Sequence, residues 1–265
     1  MVHAKKSLGQ NFLNSKAVAR DIVRAAELLP NETVLEIGPG KGFLTSELLA
    51  SGARVIAVEK DDRMIPILSE KFAEEVIKKQ LILIHGDIME KLERGLLGLP
   101  QTYKLVANIP YYLTGQIIRT FLESKSKPER TILMVQKEVA TRIVARDKKE
   151  SILSIAVKAY GTPKLIKKVP ARYFTPAPKV DSAILAIENI SGKNFPDTAT
   201  EKLFFEIVRA GFAHKRKILA GNLKELLKET APQILKNVGI PENTRAEDLT
   251  LKHWLDITSK SRPSR

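Results

Sequence analysis

Short apolar runs alternate with amphipathic stretches through the first half of the chain. The runs at 33–37, 54–58, 81–85, 104–107 and 131–136 have the length and aliphatic content of buried strands. Between them, 43–50, 62–77 and 115–123 place apolar residues at helical spacing. Strands alternating with helices predict βαβ units on a parallel sheet. A leading helix is predicted over 14–29, capped by Asn14 or Ser15. After 136 the pattern predicts helices over 137–146 and 152–160. Two strand-like runs follow, 164–169 and 182–187, separated by the proline-rich stretch 173–179. They form an antiparallel addition at the end of the sheet. The stretch 191–199, with Gly192, Asn194 and Pro196, reads as a linker. Beyond it only helical patterns occur, at 201–213, 216–228, 231–238 and 251–260. The expected architecture is α/β: a Rossmann-like, mostly parallel sheet in 1–194, then a small all-α domain in 195–265.

Composition narrows the function classes. The 265 residues are 43% hydrophobic, enough for a substantial core, and carry a net charge of +14. That excess points to a polyanionic partner, nucleic acid before an anionic membrane surface. No apolar run approaches the length of a membrane span, and residues 1–10 carry lysines without the apolar core of a signal peptide. There is no cysteine, which excludes disulfides, thiolate metal sites and cysteine nucleophiles. The four histidines show no metal-ligand spacing, so no metal is expected. The expected compartment is the cytoplasm.

The sharpest chemical signal is Asn108-Ile109-Pro110-Tyr111, directly after the apolar run Leu105-Val106-Ala107. Ligands of open α/β sheets bind beyond the carboxyl ends of the strands. The group suits a poor nucleophile, the exocyclic amine of a base, whose lone pair is delocalised into the ring. The Asn108 side-chain oxygen and the Pro110 carbonyl can accept its N–H hydrogens, and proline brings no N–H of its own. Those hydrogens become more acidic as the nitrogen attacks, so the acceptors favour the transition state. Tyr111 can stack on the base.

The other strand ends suggest a cofactor. Glu36-Ile37-Gly38-Pro39-Gly40-Lys41-Gly42 follows the first predicted sheet strand. Gly38 and Gly40 permit tight turns and close ligand approach. Phe43 stands where a dinucleotide fingerprint needs its third glycine, and Pro39 removes a phosphate-binding N–H. The loop therefore fits a nucleoside without pyrophosphate better than a nicotinamide dinucleotide. Glu59 closes the next strand and can accept both ribose hydroxyls. Asp87 ends the third and can accept from an adenine amine. Each alone fits a turn glycine or a solvated acid; all three in register match S-adenosyl-L-methionine binding.

At this point the chain resembles the KsgA family of ribosomal RNA adenine N6,N6-dimethyltransferases. The resemblance rests on Ser7-Leu8-Gly9-Gln10-Asn11-Phe12-Leu13, Leu35-Glu36-Ile37-Gly38-Pro39-Gly40, Asn108-Ile109-Pro110-Tyr111 and Gln136-Lys137-Glu138-Val139. Phe174-Thr175-Pro176-Ala177-Pro178-Lys179-Val180-Asp181-Ser182 and Arg245-Ala246-Glu247-Asp248-Leu249 complete it. It implies a class I methyltransferase sheet, with Gln10, Asn11 and Leu13 contacting S-adenosyl-L-methionine beside Gly38, Glu59 and Asp87. It implies that Asn108 serves both cofactor and target, and that Tyr111 and Phe174 sandwich a flipped adenine. The implied reaction transfers four methyl groups to two adjacent adenosines in a loop near the 3′ end of 16S rRNA. The implied partner is that RNA within the immature small ribosomal subunit, whose assembly the family checks, and the protein acts as a monomer. Ala177 and Tyr112 depart from the commoner family pattern without removing a required group.

Basic clusters at Lys5-Lys6, 142–149, 164–168 with Arg172 and Lys179, and His214-Lys215-Arg216-Lys217 suggest an RNA-facing surface. Three alternatives stay open: an Erm-type 23S rRNA adenine methyltransferase, a non-catalytic RNA-binding assembly factor, and a DNA amine methyltransferase. The last more often carries proline where this chain has Ile109.

Overall fold

The computed structural model describes residues 4–5, 8–145 and 148–262. In chain order the elements are β1 (Phe12–Leu13), α1 (Lys16–Ala26), β2 (Thr33–Ile37), α2 (Phe43–Ala50), β3 (Arg54–Glu59), α3 (Met64–Lys71) and α4 (Ala73–Ile77). They continue with β4 (Leu81–His85), α5 (Ile88–Glu93), β5 (Lys104–Asn108), a 3₁₀ turn (Tyr111–Leu113), α6 (Thr114–Glu123), β6 (Arg130–Gln136) and α7 (Lys137–Val144). Then come α8 (Ile152–Tyr160), β7 (Thr162–Val169), β8 (Phe174–Thr175) and β9 (Ser182–Glu188). Helices α9 (Thr198–Gly211), α10 (Leu219–Leu227), α11 (Ala231–Val238) and α12 (Leu251–Lys260) complete the described chain.

Seven strands form one sheet in the order β4-β3-β2-β5-β6-β9-β7. The first five are parallel, and β9 runs antiparallel to both β6 and β7. Strands β2, β3, β5 and β6 are near-continuous apolar runs because both faces of the sheet are covered. On one face Val34, Val55, Ala57, Val106, Ile132 and Met134 share a core with Ile22, Leu48, Met64 and Leu68 of the helices. Successive strands leave β2 toward β3 and β4, and the chain then returns to β5 on its other side. The carboxyl ends of β2 and β5 therefore flank the point where the strand order reverses, where such sheets open a crevice.

Local chemistry adjusts the predicted boundaries. The leading helix starts at Lys16, with Ser15 as its cap, and ends where Glu27 turns left-handed at φ 48°. The predicted 62–77 helix is two helices, because Phe72 leaves helical geometry at φ −119°, ψ 34°. Helix α5 is only six residues long, too short to show a period, and Asp87 caps it by accepting from the Met89 N–H. The proline-rich stretch contains β8, which pairs with β1 through Phe12↔Thr175 and Leu13↔Phe174.

The chain divides into two compact units, 1–140 with 162–190, and 141–161 with 191–265. The sequence reading divides it at 194/195 and leaves 141–161 in the first domain. Helix α8 instead joins the helical unit: the Tyr160 ring lies 5.5 Å from Phe195 and 6.0 Å from Phe205. An amphipathic helix shows that one face is buried, not which core receives it. Trp254 and Phe204 are fully buried in this unit.

Candidate active site

A cleft of about 400 Å³ opens at the carboxyl ends of β2–β5. Gln10, Asn11, Leu13, Gly38, Gly40, Glu59, Asp87, Asn108, Pro110, Tyr111 and Phe174 all line it, so the candidate cofactor and target residues named from sequence border one space.

Glu59 is buried at the end of β3. Its Oε2 accepts from the Gly40 N–H at 2.9 Å and its Oε1 from the Asp61 N–H at 2.8 Å. Burial raises its pKa, and those N–H groups pull the other way. Each oxygen keeps a lone pair for a hydroxyl donor. Gly40, at φ 55°, must lack a side chain: a Cβ there would stand 2.9 Å from the Phe12 ring. Gly38, at φ 69°, borders open space, so a Cβ there would meet nothing within 4 Å. The loop leaves room for a ligand against its backbone.

Two further acids carry no role in the sequence reading. Glu36 is fully buried at the cleft, neither oxygen has a hydrogen-bond partner, and burial pushes its pKa up to about 8. Asp61 has a wholly buried side chain that accepts from Arg63 Nη2 at 2.6 Å and from Gln10 Nε2 at 2.9 Å. The Arg63 guanidinium holds its carboxyl well below the usual carboxylate range. Gln10 also accepts from the Lys5 N–H, so its amide pins the N-terminal segment to the end of β3. The run Asp61-Asp62-Arg63 after Glu59 is the signal that points to this anchor. Asp87 accepts from Lys60 at 2.7 Å and from the Met89 N–H at 2.8 Å. The Lys60 hydrogen bond lowers its pKa.

At the other end of the cleft, Asn108 Nδ2 donates to the Asn11 carbonyl at 3.4 Å. That bond leaves Oδ1 as the acceptor offered to a ligand. The Pro110 carbonyl differs from expectation, since it accepts from the Leu113 N–H at 3.0 Å. The 3₁₀ turn that follows proline supplies the donor that proline lacks, and only the second lone pair stays available. The Tyr111 hydroxyl is hydrogen-bonded to Ser182 Oγ at 2.7 Å, and burial raises its pKa. Phe174 is buried beside Leu13 through the β1–β8 pairing. Tyr112 lines the rim of the cleft and is exposed.

Among the described residues no group of three or more His, Asp or Glu side chains could hold a metal ion. No described helix is long and apolar enough to cross a membrane. Lys5 forms ion pairs with Asp61 and Asp62, at 3.6 and 3.7 Å. Ser7, Lys6 and Arg146 of the quoted motifs and clusters lie outside the described residues.

Comparison with known proteins identifies the family. The "Ribosomal RNA adenine dimethylase" family model matches residues 1–261. The chain is 44% identical to the "Ribosomal RNA small subunit methyltransferase A" of Dehalococcoides mccartyi (strain CBDB1), over 95% of this chain and 86% of that protein. It is similar to the crystal structure of a dimethyladenosine transferase from Plasmodium falciparum, with 25% identity, TM-score 0.81, and coverage of 94% of this chain and 98% of that one. It is also similar to the 23S rRNA methyltransferase ErmE, with 26% identity, TM-score 0.75, and coverage of 94% and 99%. The matched residues take in the whole cleft and every described helix, and the chain belongs to the ribosomal RNA adenine dimethylase family.

Proposed function

We propose that this protein dimethylates the N6 amines of two adjacent adenosines in a loop near the 3′ end of 16S rRNA. It does so within the immature small ribosomal subunit, as a cytoplasmic monomer, with S-adenosyl-L-methionine as methyl donor. The observation that carries the reading is Asn108. The residue lines the cleft and its amide nitrogen donates to the Asn11 carbonyl, which leaves the amide oxygen without that role and free to accept.

When bound, S-adenosyl-L-methionine would supply a methyl group on a sulfonium, whose S–CH3 bond breaks readily because a neutral thioether leaves. The residues present fit it. Glu59 keeps lone pairs for the ribose hydroxyls, Asp87 offers a carboxylate to the adenine amine, and Gly38 and Gly40 admit the ligand against the loop. Gln10, Asn11 and Leu13 close the cleft from the N-terminal segment. Asn108 Oδ1 and the second lone pair of the Pro110 carbonyl accept from the target amine. They strengthen as the nitrogen gains positive charge, which favours the transition state. Tyr111, fixed by Ser182, and Phe174 hold the base of an adenosine already loosened in a loop. Holding the amine in line with the methyl group supplies much of the acceleration.

The reading is tested by incubating undermethylated small subunits and, in parallel, large subunits with labelled S-adenosyl-L-methionine, followed by nucleoside analysis of 16S and 23S rRNA. Dimethyladenosine at two adjacent 16S positions is expected. Label confined to 23S rRNA, or monomethyladenosine alone, overturns it.

A further inference from the structure

The basic stretch around Phe174 is not uniform. Lys164 is paired with Glu188, and Lys167 with Asp21, at 2.5 Å each. Lys168, Arg172 and Lys179 are exposed, and among the described residues no acid pairs with any of them. Strand register separates the two sets further. Strand β7 begins opposite Glu188, with Thr162↔Glu188, and ends opposite Ser182, with Val169↔Ser182. Ser182 pairs in turn with Gln136, the last residue of β6, at the carboxyl edge of the sheet. Its hydroxyl bonds Tyr111 in the cleft. Lys168, one position before Val169, therefore lies at the cleft end of the sheet, whereas Lys164 lies toward the opposite end.

Arg172 and Lys179 follow on the same side, in the loop that joins β7 to β9 and carries Phe174. This loop is held in place. The Ala171 N–H donates to Asp181 Oδ1 at 3.1 Å, and the Asp181 carbonyl accepts from the Lys137 N–H at 3.0 Å. The Arg172 guanidinium lies over the Tyr173 ring, 5.2 Å from its centroid, which orients the planar cation before any ligand arrives. Within 168–181, the segment that carries Phe174, the three cations Lys168, Arg172 and Lys179 outnumber the one carboxylate, Asp181. A nucleotide whose base enters the cleft keeps its two flanking phosphates outside, one sugar away from the base.

We infer that Lys168, Arg172 and Lys179 form a phosphate clamp for the RNA strand on either side of the extruded adenosine, while Lys164 and Lys167 are structural ion-pair partners outside it. The inference rests on the RNA-methylating reading of the same cleft. Phosphate neutralisation releases counterions, so each contact adds about 0.7 to the slope of log affinity against log salt on single-stranded RNA.

The test has two arms on the full-length protein. In the first, binding of a single-stranded RNA carrying the 16S 3′-terminal loop sequence is titrated over a salt series. Lys168→Gln, Arg172→Gln and Lys179→Gln are each compared with Lys164→Gln and Lys167→Gln. The clamp variants should each flatten the slope by about 0.7 and weaken binding about threefold to tenfold at ~0.15 M salt. The paired lysines should leave the slope unchanged. Equal flattening by both sets, or no flattening in the triple clamp variant, overturns the inference. In the second arm, methyl transfer to undermethylated small subunits should show a raised KM for RNA and an unchanged kcat in the clamp variants. If the unaltered protein transfers no methyl group while the slopes separate as stated, the clamp stands and the methylation reading falls.

Discussion

The cleft of the first unit and the basic turn of the second handle polar groups in opposite ways. In the cleft, Glu59, Asn108, Tyr111 and Gln10 each have a named hydrogen-bond partner that fixes where the group points. In the second unit, His214, Lys215, Arg216 and Lys217 are exposed and, among the described residues, their side chains have no acidic partner. Only the backbone of that turn is held: the buried Asn222 donates to the Gly211 carbonyl at 2.6 Å and to the His214 carbonyl at 3.1 Å. A reaction that needs atoms kept in near-attack geometry is served by groups that are sheltered and hydrogen-bonded, as these are. Attraction of a polyanion needs only charge within a Debye length, so solvated cations suffice. Substitutions in the cleft should therefore act on chemistry and resist salt, and substitutions in the turn should act on association and be erased by salt.

The largest expected break is Asn108→Ala. It should lower the single-turnover methyl-transfer rate by about 10²–10³ while leaving RNA affinity nearly intact. Full activity in that variant would remove Asn108 from the chemistry.

Glu36 tests the buried side of the contrast through pH. Burial pushes its carboxyl up to about 8 in the folded protein, against an ordinary 4.5. Its contribution to stability is thus complete below about pH 4.5 and is lost as pH rises through about 8. Glu36→Gln, which cannot ionise, should differ least from the unaltered protein below about pH 4.5. Near pH 9 it should be more stable, by an amount on the order of a few kcal/mol. Parallel melting curves at both pH values would show that Glu36 titrates as a solvated acid does.

Glu59→Ala should weaken S-adenosyl-L-methionine binding by about 1–3 kcal/mol, read by calorimetry, through loss of a charged hydrogen-bond acceptor. Unchanged affinity would place the ribose elsewhere.

The smallest effect is expected in the basic turn. Charge reversal at Lys215, Arg216 and Lys217 together should weaken RNA binding about tenfold at ~0.15 M salt and less at higher salt, with cofactor affinity unaltered. Filter binding that shows no loss would reduce the turn to a solvated face.

Much of this was legible in the linear order of residues. Four of the five parallel strands, β2, β3, β5 and β6, announce themselves because a strand covered on both faces must be apolar throughout, and that requirement is local. That Glu59, Asp87 and Asn108 line one cleft is legible because each stands where such a run ends, and strand ends are where open α/β sheets bind ligands. The excess of lysine and arginine determined the sign of the partner. What tertiary structure alone decided involves partners distant in sequence. Pairing of β1 with β8 seats Phe174 beside Leu13, far apart in sequence, yet two-residue strands carry no periodicity to read. Burial with no hydrogen-bond partner sets Glu36 apart from Glu59, although both are acids near the end of a strand. Apolar spacing in 141–161 required a buried face but could not name the core that buries it. Ion pairs with Asp21 and Glu188 separate Lys167 and Lys164 from Lys168, one residue away in the same run. Sequence records what each residue must satisfy; which distant group satisfies it depends on strand order and packing, and those are properties of the folded chain as a whole.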